Sequence, residues 1–109
     1  MRRFGQTLGL RTADLDRYRR HHAEIWPDIA RAIGEAGIRN YSIFVRGDRL
    51  FAYYEYVGPE DEYEARMAAL AAAPRMREWW DLMEPMQIPD EDRPEGTWWS
   101  DMEEVFHQD

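Results

Sequence analysis

A chain of 109 residues with a net charge of −8 and no cysteine is one domain, spanning 1–109, that can bury a core without disulfide staples and has no thiolate for metal binding or catalysis. Its acidic balance opposes phosphate backbones and anionic lipid, so neither nucleic acid nor a membrane is expected as a partner. All 14 basic residues are arginine, which excludes a lysine Schiff base, and 44% hydrophobic against 33% charged residues is the profile of a folded globular protein.

Residues 3–10 alternate loosely, with Phe4, Gln6, Leu8 and Leu10 against Arg3, Gly5, Thr7 and Gly9, and predict a first strand weakened by its glycines. Thr12 is placed as a helix N-cap, with Asp14 and Asp16 in the first turn. Leu15, Tyr18, His22, Trp26, Ile29 and Ile33 then recur at helical spacing. Pro27 interrupts this run and predicts either a kink or one helix ending near Trp26 and another starting at Pro27. Gly34 and Gly37 close the helix. Residues 38–46 and 49–57 are β-rich and flank the turn Gly47-Asp48, a hairpin signature. Gly58-Pro59 punctuates, 60–72 is helical in composition, and Pro74 opens a short helix carrying Met76, Trp79, Trp80 and Met83. Residues 85–97, with Pro85, Pro89, Pro94 and Gly96, predict a loop, and 102–107 a last strand.

This β-α-β-β-α-β order predicts an α+β, ferredoxin-like fold, an antiparallel sheet with helices on one face. Both hairpin strands carry bulky residues on both sides: Tyr41, Ile43 and Val45 against Phe44, and Phe51 and Tyr53 against Leu50, Tyr54 and Tyr56. The second face therefore needs cover. A second copy, packed sheet to sheet about a two-fold axis, is the expected cover, giving a homodimer.

Tyr18, His22 and Trp26 are spaced by four, about 400° of helix per step, and so share one face of a continuous helix. Two readings stand: a packed stripe whose polar tips find partners, or a working face with an imidazole suited to moving protons near neutrality. His21, about 100° further round, reads as solvent-facing. Trp79-Trp80 is either a packed pair or one ring in the core and one toward a cavity, and Trp98-Trp99 is expected to be buried against the body or a partner subunit, at an interface or a pocket rim. Three histidines, two of them adjacent, give no metal spacing, and no glycine-rich phosphate loop is present. A metal site is therefore not expected. Ser42 and Ser100 are the only serines and neither lies in a nucleophile elbow, which argues against a serine hydrolase. Met1-Arg2-Arg3-Phe4-Gly5 lacks a signal-peptide stretch, and with no cysteine a cytoplasmic location is expected.

Four segments in order resemble the L-rhamnose mutarotase family. Tyr18-Arg19-Arg20-His21-His22-Ala23-Glu24-Ile25-Trp26-Pro27 resembles its Tyr-x-x-x-His-x-x-x-Trp-Pro motif, Asn40-Tyr41-Ser42-Ile43 its Asn-Tyr-Ser/Ala-Ile strand, Trp79-Trp80 its tandem tryptophan, and Glu103-Glu104-Val105-Phe106-His107 its ending. The resemblance implies a dimeric α/β-barrel of ferredoxin-like type and a cofactor-free aldose 1-epimerase acting on a monosaccharide. It implies His22 as the catalytic acid and Tyr18, Tyr41, Trp79 and Trp80 as sugar contacts. The segment from Asp81 to Gln87 and the long loop with Trp98-Trp99 depart from the family's shorter loop, which keeps L-fucose or a related deoxy sugar beside L-rhamnose. Two other classes remain open on the same aromatic residues: a polyketide-cyclase-like or monooxygenase-like barrel, and a sugar-binding module without catalysis.

Overall fold

The computed structural model describes residues 1–109. Strand β1 (Arg2–Leu10) leads into helix α1 (Leu15–Ala23), and helix α2 (Pro27–Glu35) follows at once. Strands β2 (Ile38–Arg46) and β3 (Arg49–Tyr56) form the hairpin. Helices α3 (Tyr63–Ala72) and α4 (Pro74–Met83) come next, then two short strands, β4 (Gln87–Ile88) and β5 (Ser100–Met102). The sheet runs β2-β3-β1-β4, antiparallel throughout, with β5 pairing β1 further along the edge that β4 occupies. This is the ferredoxin-like arrangement read from the order of elements.

Four local expectations need correction. Thr12 makes no side-chain cap; residues Thr12–Asp14 form a 3₁₀ turn, and Asp14 instead pairs with Arg11 and Arg17. The predicted loop 85–97 contains a strand, because Gln87 and Ile88 pair with Leu10 and Gly9. The last strand ends where its predicted range began. Gly5 faces Met102, and beyond it the chain leaves the ladder, with Arg3 holding Glu104 through Nε and Nη2 side-chain bonds of 3.0 and 3.1 Å. Finally, α1 ends at Ala23, so Trp26 does not continue its face. Trp26 precedes a proline and is extended, with φ −62° and ψ 130°, as the clash with the proline ring requires.

Helices cover one face of the sheet. Leu8, Leu10, Ile29, Leu50, Met76, Met83 and Met86 form the core together with two polar-tipped rings, Tyr18 and Trp79. Burying a Leu, Ile or Met contributes about 1.5–3 kcal/mol each; Met76 and Met83 anchor the helix that carries Trp79, and Tyr18 is the buried residue of α1. Along β3 the alternation is strict: Leu50, Ala52, Tyr54 and Tyr56 are buried beneath the helices, while Phe51, Tyr53 and Glu55 lie on the other face. No helix covers that second face, where Phe44 is 63% exposed opposite Phe51.

The hairpin contains one irregularity. Arg39 faces Glu55 and Ser42 faces Tyr53, so β2 carries one residue more than β3 across this step. This is a β-bulge, and its Asn40 takes a left-handed φ of 52° that asparagine tolerates better than most residues. Before the bulge the inward residue is even-numbered, Ile38 opposite Tyr56; after it the inward residues are odd, Ile43 opposite Ala52 and Val45 opposite Leu50. The extra residue therefore turns Tyr41 to the helix side, where its ring lies 5.6 Å from Tyr54.

Candidate active site

Helix α1 presents Tyr18 and His22 one turn apart, with ring centroids 4.4 Å apart and a tilt of 34°. His22 Nδ1 lies 2.8 Å from the backbone oxygen of Tyr18. A carbonyl only accepts, so Nδ1 carries the hydrogen, and in the neutral ring Nε2 holds a free lone pair. Burial pushes the His22 pKa below the ordinary histidine value; the Tyr18 carbonyl opposes this more weakly, and neighbouring His21 adds to it. The resting ring is thus neutral, with an acceptor at Nε2.

Tyr18 is buried, and burial raises its pKa, so the phenol stays protonated. Its oxygen takes a hydrogen bond from Gln87 Nε2 at 3.0 Å, and Gln87 Oε1 in turn accepts from Trp98 Nε1 at 2.8 Å. Residues 18, 87 and 98 come from α1, β4 and the segment before β5. Sequence reading missed Gln87. Its partner Tyr18 is 69 residues away, and a glutamine two residues after Pro85 carries no periodic or motif signal.

Trp79 is the ring about which this region packs. Met76, Trp79 and Met83 form the inward face of α4. The Trp79 indole meets His22 edge to face at 5.5 Å, Trp26 at 5.2 Å and His21 at 6.4 Å. His21 is therefore half-buried beside an indole and not simply solvent-facing. The short turn between α1 and α2 brings Trp26 back to the stripe that helical spacing alone would have placed it on, and Arg75 Cζ stands 3.8 Å from its ring centroid. Trp80 is half-buried, packed against the core, with Arg77 5.5 Å from its ring. Trp98 and Trp99 both pack on the core of their own chain.

Tyr41 is 43% exposed, yet burial raises its pKa. Charge on Tyr41 would also raise the pKa values of Tyr18 and Tyr54, which places the three phenols in one neighbourhood. The structure thus brings Tyr18, His22 and Trp79 together, with Tyr41 near Tyr18, while Trp80 packs against the shared core. Two surface clefts of about 620 and 400 Å³ lie elsewhere. Arg31, Arg39 and Arg66 bound the first; Arg3, Tyr53, Met102 and Phe106 bound the second, and neither is lined by Tyr18 or His22. No group of three histidines or carboxylates converges as a metal site. A neutral imidazole acceptor beside a protonated phenol, among aromatic walls, suits proton transfer on an uncharged substrate.

The sequence profile of the L-rhamnose mutarotase family matches residues 3–108. The chain belongs to that family. An L-rhamnose mutarotase of Lactiplantibacillus plantarum is 36% identical, with the whole of both chains covered. The crystal structure of an L-rhamnose mutarotase from Formosa agariphila superposes with a TM-score of 0.78 at 23% identity over all of both chains. Tetracenomycin F2 cyclase of Streptomyces glaucescens, a type-II polyketide cyclase, gives a TM-score of 0.71 at 19% identity, covering 99% of this chain and 96% of its own. The last two likenesses speak for the fold, which a mutarotase and a cyclase share; the family profile and the 36% relative speak for the mutarotase family. The resemblance read from the four motifs and the α+β class are both borne out. Family membership makes the chain an isomerase of sugar anomers.

Proposed function

We propose that the chain interconverts the α and β anomers of L-rhamnose in the cytoplasm, as a homodimer, with His22 carrying the proton and Tyr18, Tyr41, Trp79 and Trp80 around the sugar. The observation that carries this reading is the free Nε2 of a neutral His22 beside a Tyr18 hydroxyl that stays protonated.

Ring opening removes the proton from the anomeric hydroxyl. That O–H pair becomes the second bond of the aldehyde, the bond from C1 to the ring oxygen breaks, and the ring oxygen takes a proton. Both oxygens are bonded to C1, so one imidazole can take the proton at one and return it at the other. His22 acts first as base and then as the acid that the family resemblance implies. Tyr18 donates a hydrogen bond to the oxygen that gains negative charge. Rotation about C1–C2 presents the other aldehyde face, and the same steps in reverse close the other anomer. General acid–base transfer of this kind is worth about 10²–10⁴-fold in rate.

Trp80 and Tyr41 keep open surface for the apolar side of a 6-deoxy sugar, its methyl included. Trp79, buried to 5% exposure, offers an edge and holds His22 in place. The uncovered sheet face supports the dimer: Phe44 lies on it, and Val105 and Phe106 in the tail are 91% and 77% exposed. A chain without cysteine suits a reducing compartment.

Exchange NMR on the two anomers of L-rhamnose tests the reading. Addition of the protein should speed exchange, and His22→Ala should remove at least about 10²-fold of that gain while the circular dichroism stays folded. No acceleration of L-rhamnose by the parent protein overturns the proposal; a larger effect on L-fucose moves the substrate to that sugar.

A further inference from the structure

The Gln87 amide has two chemically opposite ends, and its neighbours decide which end faces Tyr18. Trp98 Nε1–H can only donate, and it lies 2.8 Å from Oε1. With Oε1 held there, the end that reaches the Tyr18 hydroxyl oxygen at 3.0 Å is Nε2, which can only donate. Tyr18 therefore accepts from Gln87 and cannot give its own hydrogen to it. A buried phenol that accepts on one side has its O–H free for another acceptor.

We propose that Gln87 is a positioning residue, clamped by Trp98, that keeps the Tyr18 hydroxyl a donor toward the sugar. The inference rests on the anomer exchange proposed above. It also gives a task to the segment 89–99: that loop delivers the indole that sets the polarity of the amide.

Reversing the polarity is the test. In Gln87→Glu the ionised carboxylate accepts from both Trp98 and Tyr18, and the Tyr18 hydrogen is captured. The expected result near neutral pH is a kcat loss of about 10²-fold, the scale seen when a donor to a developing oxyanion is lost, with little change in KM. Protonating that carboxyl restores the parent polarity, since its carbonyl accepts from Trp98 and its O–H donates to Tyr18. The ratio of variant to parent kcat should therefore climb back as pH falls. Taking the ratio at each pH cancels the titration of His22 itself. Gln87→Met should lose less, with a ratio that does not vary with pH. Trp98→Phe, which frees the amide to turn over, should lower kcat and leave KM in place, and covers the case in which Gln87→Glu does not fold.

A ratio for Gln87→Glu that is flat across pH, or an unchanged kcat in Trp98→Phe, overturns the role of Gln87 while leaving anomer exchange intact. A parent protein that does not speed anomer exchange overturns both, and the parent alone shows it.

Discussion

Trp79 meets Trp26 edge to face at 5.2 Å, with 72° between the rings, across the break that Pro27 makes in the chain. The contact joins α4 to the corner between α1 and α2, while His22 and His21 approach Trp79 from α1. A single indole thus supports the scaffold and the proposed proton carrier together. Trp79→Ala should cost about 3–5 kcal/mol, the range for truncating a large buried aromatic, read as a lower urea midpoint. Trp79→Phe should lose less stability and still lower kcat, since the shorter ring leaves His22 less supported. Parent-like rates in a folded Trp79→Phe would remove Trp79 from the site.

The depressed pKa of His22 makes two linked predictions. Nε2 must be unprotonated to accept, so kcat should be flat through neutral pH and fall on acidification, with a midpoint below about 6.5, the ordinary histidine value. For stability, the unfolded chain binds this proton at higher pH than the folded one. Stability from this group is therefore full above about 6.5 and is lost as pH falls from there through the folded value, then levels off. Comparing the pH dependence of unfolding free energy in the parent and in His22→Gln isolates the contribution. A rate midpoint above 6.5 would mean that burial does not govern this ring.

The element order, the hairpin and the helix start at Pro27 were legible because they follow from chain-local rules: periodicity, turn chemistry and the geometry of proline. The stripe was legible at Tyr18 and His22 for the same reason, since both lie in α1. Trp26 reached its place by a different route, through a turn rather than along a helix. Local rules could not place Gln87 or Trp98, because their partners are set by how β4 and the 89–99 segment close on α1. The end of β5 was misplaced because Val105 and Phe106 read as strand residues by composition, whereas Glu104 is taken by Arg3 and the ladder stops.

The bare sheet face gives a test of assembly. Phe44→Glu sets a charge in the centre of the proposed interface and should turn a dimer into a monomer in sedimentation velocity, leaving the monomer's circular dichroism unchanged. If the variant still sediments as a dimer, the copies meet elsewhere.

Gly37, just past α2, has φ 94°, and a Cβ there would stand 3.0 Å from the Tyr56 ring. Gly37→Ala meets both a disfavoured backbone and a fully buried aromatic, and should cost more than about 1 kcal/mol, seen as a lowered midpoint of thermal unfolding. An unchanged midpoint would mean that this turn relaxes without strain.

The extra residue between Arg39 and Ser42 amounts to a change of parity. If the same residues paired one for one with β3, Tyr41 would fall on the side that now holds Phe44, and every side chain of β2 after it would change face without altering a single residue. The division between the surface proposed to meet a sugar and the surface proposed to receive a second copy is thus written in a count of backbone units, and only secondarily in the identity of the residues that follow.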